Sequence, residues 1–400
     1  MSGPRLDPAR PLRVLHVVRR LHYGGLERLV SEMLRRADRG AFDNHVLTLI
    51  PPGRFGDGLG AFATLHQAPP LSKASNLWPS ALAREIRAIR PDIVHTHSGV
   101  WHKASVAARI AGVPVVVHTE HGRAVPDPWI VRKMDWLASR YTDVVIAVSE
   151  AVASHLKKRV VCYPDRVVVI PNGVDTAEFA PTPDDGRLRT ELGVSPDTPI
   201  IGSIGRFMAV KGYEVAIHAY GLLRREWAGG APPLLVLAGD GPERGRLEAL
   251  ARQLRVEGGV RFLGFRDDLA RLLAAFTIFT MSSHSEGTSV SLLEAMSAGS
   301  CPVVTNVGGN AAVLGPALAH RLVPAADPAA LARAWVDALA DQARRRIDAA
   351  AARERVLREY TIEGTMQAYS SVYGMAMARR RVGRSDRVKA AVPSGRGPEA

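Results

Sequence analysis

Short apolar runs recur along this chain, and almost every one is followed by a stretch with helical spacing. Arg13–Val18 (RVLHVV) leads into Leu26, Leu29, Val30, Met33 and Leu34, which share one helix face. The alternation continues with strands expected at His45–Ile50, Asp92–Thr96, Val113–His118, Asp143–Val148 and Val167–Ile170. Between them, helices are expected at Pro79–Ile89, Trp101–Ala111, Trp129–Ser139 and Glu150–Val161. The pattern restarts at Pro199–Gly205 and runs through Tyr213–Arg225, Leu234–Ala238, Val260–Gly264, Phe276–Met281 and Val303–Thr305. Strands that are apolar throughout have both faces covered, so the pattern predicts an α/β fold of parallel sheets between helices. In such sheets ligands bind beyond the carboxyl ends of the strands.

Four hundred residues are too many for one core and imply two domains. The junction falls at VVVIPNGVDTAEFAP, where Asn172-Gly173 is turn chemistry and a Pro-containing stretch follows to Gly186. We expect a flexible leader at 1–11, an N-terminal domain at 12–175 and a C-terminal domain at 176–360. A hydrophobic fraction of 46% excludes a disordered chain. No apolar run approaches the length of a membrane span, and the leader lacks the apolar core of a signal peptide, so a soluble cytoplasmic protein is expected. Cys162 and Cys301, the only cysteines, offer neither a disulfide framework nor a zinc set. The net charge is +13, and in the tail Arg379, Arg380, Arg381, Arg384, Arg387 and Lys389 face one acid, Asp386. That bias suits nucleic acid, an anionic membrane surface, or simply a solvated disordered tail at 379–400.

Several candidate site residues fall at expected strand ends. Gly24-Gly25 breaks the first strand and lets another molecule approach the backbone ahead of a helix N-terminus. Arg206 and Lys211 bracket the loop GRFMAVKG, Gly239 opens GDGPE, and Phe265-Arg266 follows the next strand. PPGRFGDGLG at 51–60 is expected to be a mobile loop near the cleft. In HSEGTSVSLLEAMSAGSCPVVTN, Thr288 or Ser289 can cap a helix that stops at Gly299; Glu286 and Gly287 precede the cap, and Glu294 lies about two turns along. A helix start there is an anion site, and carboxylates beside it suit a ligand with hydroxyls at both ends of a diphosphate. A nucleotide sugar is such a ligand. Five histidines also sit at strand ends: His95, His97, His102, His118 and His121. They invite a metal reading, but no cysteine or carboxylate joins them at a ligand spacing, and no metal is expected.

The spacing of Glu286 and Glu294 in EGTSVSLLEAMSAGSCPVV resembles the signature of family 4 glycosyltransferases, retaining nucleotide-sugar enzymes of the GT-B fold. The resemblance extends over residues 12–378 and includes the glycine turn, His121, the Arg206/Lys211 pair and IPNGVD. It implies two Rossmann-like domains facing across a cleft, with a last helix at 361–378 crossing back to the first domain. It implies that Gly24 and Gly25 face the donor phosphates and acceptor, that His121 contacts the donor sugar, and that Arg206 and Lys211 hold the diphosphate. Glu286 would take the transferred sugar, Glu294 the ribose hydroxyls, and the base would lie against Phe265-Arg266. No cofactor or metal is implied, and the sequence contains no D-x-D. The expected donor is a UDP or GDP sugar, and the acceptor a hydroxyl, with a lipid-linked saccharide as the candidate, in exopolysaccharide, lipopolysaccharide or glycolipid synthesis. The basic helix with His155, Lys157, Lys158 and Arg159 is the candidate contact with anionic lipid, as against a solvated face.

Two rival readings come from other classes. A nucleotide-sugar epimerase of similar fold would convert donor without any acceptor. A basic nucleic-acid-binding protein would show salt-dependent affinity, but the sequence offers no recognition motif or aromatic platform for one.

Overall fold

The computed structural model describes residues 10–21, 24–53, 56, 58–70, 78–122 and 128–390, with side chains as far as Arg380. The N-terminal domain is built from β1 (Leu12–Val18), α1 (Gly25–Arg36), β2 (Phe42–Thr48), β3 (Thr64–Gln67), α2 (Ser80–Ile89), β4 (Ile93–His97) and α3 (Trp101–Ala111). It continues with β5 (Val115–Glu120), α4 (Trp129–Arg140), β6 (Val144–Ala147), α5 (Glu150–Arg159) and β7 (Val167–Val169). After a short α6 (Arg187–Leu192), the C-terminal domain runs β8 (Ile200–Ile204), α7 (Tyr213–Glu226), β9 (Leu234–Ala238), α8 (Arg244–Gln253), β10 (Val260–Gly264) and α9 (Leu269–Ala275). Then come β11 (Ile278–Met281), α10 (Val290–Ser297), β12 (Cys301–Thr305), α11 (Asn310–Leu314) and β13 (Leu322–Val323). Three helices close the chain: α12 (Pro328–Ala340), α13 (Gln342–Glu359) and α14 (Ile362–Ala390).

Both sheets are parallel, with strand orders β3-β2-β1-β4-β5-β6-β7 and β10-β9-β8-β11-β12-β13. These are the two Rossmann-like domains expected. In each, the order reverses beside the domain's first strand, at β1/β4 and at β8/β11, and such a switch point is where doubly wound sheets form a ligand crevice. Two strands go beyond those expected. β3 (TLHQ) is an edge strand with an exposed, polar pattern, and β13 is only two residues long, so neither leaves an apolar run to read. Of the loop expected at 51–60, residues 54, 55 and 57 lie outside the described residues, as do 1–9 of the leader; Leu59 is anchored in the core beside Val18 and Leu21.

The chain crosses between the domains twice, and the two crossings meet. Val174 pairs with Thr361 in a parallel bridge, with Val174 N donating to Tyr360 O at 2.9 Å and Ile362 N to Val174 O at 3.0 Å. Gly173 is required there, because a Cβ would stand 2.5 Å from Thr361 O. Beyond this crossing α14 lies on the N-terminal domain, where Ile362, Tyr369, Val372, Tyr373 and Ala376 join a core with Val14, Met33, Ile93 and Val117. The helix runs on to Ala390, past the 378 boundary expected, since no proline interrupts it before Pro393.

Candidate active site

The two switch points face each other, so loops from both domains meet in one cleft. From the N-terminal side come Gly24-Gly25, at the start of α1, and His121, just after β5. From the C-terminal side come Arg206 after β8 and residues 282–289 between β11 and α10. The approach is close at several points. A Cβ on Gly25 would lie 3.5 Å from Val290 Cγ2, and one on Gly24 would lie 3.8 Å from Arg206 Cδ. One on Gly287 would lie 2.4 Å from His121 O and 2.8 Å from Val148 Cγ2, so only glycine allows the backbones to approach there.

Lys211 and Glu286, 75 residues apart, come together. Lys211 ends a 3-10 turn (Ala209–Lys211), and its Nζ lies 2.7 Å from Glu286 Oε1. The same carboxylate accepts from Ser283 Oγ at 2.6 Å and is almost fully buried. Its backbone is held by the glycine turn after β12, where Gly308 packs on Glu286 O and Gly309 N donates to Gly287 O at 3.1 Å. α10 starts at Val290, not Thr288, and Ser289 is its cap, its Oγ accepting from Leu292 N. Thr288 instead bridges the domains. Its hydroxyl donates to Val148 O and its carbonyl accepts from Asn172 Nδ2 at 2.7 Å, which ties the helix start to the N-terminal domain.

The remaining candidates divide by what holds them. Gly239 meets a packing need, since its Cβ would stand 2.0 Å from Gly205 O. Arg266 is committed to Asp268 through two bonds of 2.8 Å and to Glu191 at 2.7 Å, and these carboxylates raise its pKa, the hydrogen bond to Asp268 most of all. Phe265 beside it is partly exposed beyond β10. Glu294 is buried on α10 and faces Arg28 of α1, with Arg28 Nε 3.0 Å from Glu294 Oε1. Burial pushes the Glu294 carboxyl up to about 7, and Arg28 pulls it back.

His121 ends a row of imidazoles. Its Nε2 lies 3.0 Å from His97 Nδ1, and His97 Nε2 lies 3.3 Å from Nδ1 of His16, a β1 residue. His121 Nδ1 is buried without a hydrogen bond. Burial lowers His16 and His121 to about 4, and His95 and His97 well below the usual range, so all four are neutral near pH 7. Ring nitrogens of His16, His95 and His97 lie within 4.8 Å of one another, a grouping that could take a metal. Both nitrogens of His95 already have partners at 2.7 Å, however, Tyr373 Oη and Thr119 Oγ1. His118 stacks on Trp101 with ring centroids 3.9 Å apart, and His102 is also buried, so these two belong to the core.

Sequence reasoning missed Glu27, Arg28 and His16. Glu27 sits near Arg206 in the cleft, its carboxyl raised by burial and lowered by that cation. The available signal was the charged stripe Arg28, Glu32, Arg36 on α1, at the spacing of one helix face. Arg36 meets Asp175 at the first crossing, and Glu363 at 3.0 Å just after the second.

Residues 23–178 match the family model described as Glycosyltransferase Family 4, and residues 184–355 match Glycosyl transferases group 1. The chain is 30% identical over 313 residues to EpsF of Bacillus subtilis, a protein named as a glycosyltransferase, covering 72% of this chain and 77% of EpsF. It is 31% identical over 234 residues to the UDP-Gal:alpha-D-GlcNAc-diphosphoundecaprenol alpha-1,3-galactosyltransferase of Escherichia coli, covering 55% of this chain and 59% of that protein. Its fold is similar to that of Anabaena Alr3699/HepE solved in complex with UDP and glucose, with a TM-score of 0.79, 21% identity and coverage of 91% of this chain and all of that one. With both domains matched and a relative shared over most of its length, this chain belongs to the family 4 glycosyltransferases and has the GT-B fold.

Proposed function

We propose that the chain transfers a sugar, with retention of configuration and without a metal, from a nucleoside diphosphate sugar to a hydroxyl of a lipid-linked saccharide. The observation that carries this is the Lys211–Glu286 pair beside the capped start of α10. In this reading Lys211 leaves Glu286 for the donor diphosphate, and with Arg206 it neutralises the charge that grows on the leaving phosphate. A metal does that work in other transferases. Glu286 then accepts hydroxyls of the transferred sugar, and Glu294 those of the ribose. His121 Nδ1, free of other bonds and kept neutral by burial, serves the sugar from the opposite wall. Among the described residues of the cleft no side chain is placed as an activated nucleophile, and in this reading the leaving phosphate itself takes the acceptor proton.

The acceptor class is supported by the diphosphoundecaprenol substrate in the name of the Escherichia coli relative and by one surface of this chain. No helix among the described residues is long and apolar enough to cross a membrane. α4, however, turns Trp129, Ile130, Val131, Trp136 and Leu137 to solvent. Cations cover its rings, Lys133 at 5.0 Å from the Trp129 centroid and Arg140 at 5.6 Å from Trp136. Indoles paired with cations suit the headgroup layer of an anionic membrane, on the cytoplasmic side in this reading. α4 fits that layer better than the basic helix α5 named from sequence, whose outward side carries charge without large apolar groups.

The test is a thermal-shift titration with UDP, GDP and ADP, each in excess EDTA. A nucleotide at 100 times its Kd adds ~2.7 kcal/mol to apparent stability. A shift with one of them supports the site and names the base. No shift with any overturns the metal-free donor site.

A further inference from the structure

We propose that Arg28, on the first helix of the N-terminal domain, is a positioning residue for Glu294 of the opposite domain, so that nucleotide binding depends on how the two domains are apposed. The proposal rests on the ribose assignment of Glu294 given above. The guanidinium is fixed on three sides: Nε lies 3.0 Å from Glu294 Oε1, an Nη donates to Glu178 Oε1 at 2.6 Å, and the plane lies over Phe179 at 5.0 Å from the ring centroid. Glu294 has a side-chain exposure of 3% and Arg28 of 18%, so little water screens the contact.

The geometry at Glu294 is that of a charge contact still open to a ligand. Despite the 3.0 Å contact with Arg28 Nε, Glu294 Oε1 is buried without a hydrogen bond. Its surroundings work against ionisation. The charged groups facing this small cavity are Arg28 and Glu32 from α1, and Asp175 and Glu178 from the first crossing; Gly173, Val174, Phe179 and Val290 add none. Glu32 and Asp175 are themselves paired with Arg36 of α1, so Arg28 is the cation at the carboxyl, and it opposes the burial together with Glu178 and Glu32. Arg28 favours the charged form of a carboxyl in that position, and only the ionised form accepts two ribose hydroxyls with both oxygens.

Arg28 and Glu294 belong to different domains, so a change in cleft opening alters their separation, and with it the form of the carboxyl that meets the nucleotide. Closed domains favour the ionised acceptor for ribose; separated domains shift the carboxyl toward the protonated acid. The direction of the Glu294 shift agrees: burial raises it, Arg28 lowers it, and Glu178 and Glu32 raise it further. None of this touches the sugar-transferring end of the cleft, where Lys211 and Glu286 lie.

The experiment is calorimetric titration of the full chain from pH 6 to 9, in EDTA, with whichever of UDP, GDP and ADP binds best. Wild type is compared with Arg28→Met, Arg28→Lys, Glu294→Gln and the Arg28→Met/Glu294→Gln pair. Methionine keeps the apolar stem against Phe179 and removes the charge. Losing the cation raises the Glu294 pKa further above about 7, and at pH 7 each of the first two units cuts the ionised fraction by roughly five- to tenfold, so Arg28→Met should weaken binding about fivefold or more at pH 7 and recover most of it by pH 9. Arg28→Lys should fall between, and in the Glu294→Gln background Arg28→Met should have no further effect. An equal loss at pH 7 and pH 9, or the same loss without the Glu294 carboxylate, overturns the proposal and reduces Arg28 to packing. A wild type that binds none of the three nucleotides is a distinct result; it removes the ribose assignment and this proposal with it.

Discussion

Lys211 shows how a residue-level role becomes testable. Its ammonium lies 2.7 Å from Glu286 Oε1, so in the proposed role a donor diphosphate draws it from one anion to another. In that role the charge on the diphosphate grows as the glycosidic bond breaks, and the contribution of Lys211 is largest in the transition state. Lys211→Ala should therefore cut kcat by roughly 10²-fold or more while changing nucleoside monophosphate affinity by about threefold at most. Steady-state kinetics beside equilibrium binding checks this, and equal losses in both would refute the role. Glu286 and Glu294 could be singled out because their spacing belongs to one loop and one helix, and Lys211 because it closes the loop after β8. Arg28 was not, because its partners lie 150 and 266 positions away and only the apposition of two domains brings them together. Thr288 and Arg266 mark the opposite limit. Their residue types suit a phosphate or a base, yet the folded chain engages the Thr288 hydroxyl with Val148 O and the Arg266 guanidinium with Asp268 and Glu191.

Among the elements, the buried strands read clearly because their apolar runs leave few alternatives, and the breaks at Gly112, Gly193 and Gly299 are glycines in left-handed conformations that end helices. Edge elements such as β3 did not read, since a strand of polar residues with one partner looks like a loop. α14 was legible as a helix but not as a support. Its Tyr373 hydroxyl is bonded to His95 Nδ1 at 2.7 Å, and its Tyr369 hydroxyl lies 3.3 Å from Thr119 Oγ1, which in turn meets His95 Nε2. The helix thus fixes both nitrogens of an imidazole at the centre of the β1/β4 switch point. Tyr373→Phe would leave His95 Nδ1 buried and unpaired, and should cost the protein about 1–3 kcal/mol. Denaturant unfolding monitored on the N-terminal domain measures it. An unchanged midpoint would mean that the bond contributes nothing net.

For the molecule as a whole, the sheets and their order follow from the repeated pattern, whereas its outer surface had to be seen. Composition put the positive charge in the tail and on α5, but the apolar groups an interface needs are on α4, with Trp129 62% and Trp136 45% exposed. If this side rests on an anionic membrane, Trp129→Ala with Trp136→Ala should weaken sedimentation with phosphatidylglycerol vesicles by about tenfold or more, given the apolar area each indole inserts. Neutral vesicles should bind wild type poorly, and nucleotide affinity in solution should not change. Vesicle binding that survives the double substitution would put the contact elsewhere. The route of the chain through both domains has a consequence for its synthesis. Five residues of α14 complete the apolar core around β1, β4 and β5, so the domain translated first still lacks part of its interior when the second has emerged. Domains of a nascent chain generally fold in the order they leave the ribosome. Here the C-terminal domain has its own sheet and cores from residues 174–360 and can settle ahead of its predecessor, which is finished only when the last helix is released.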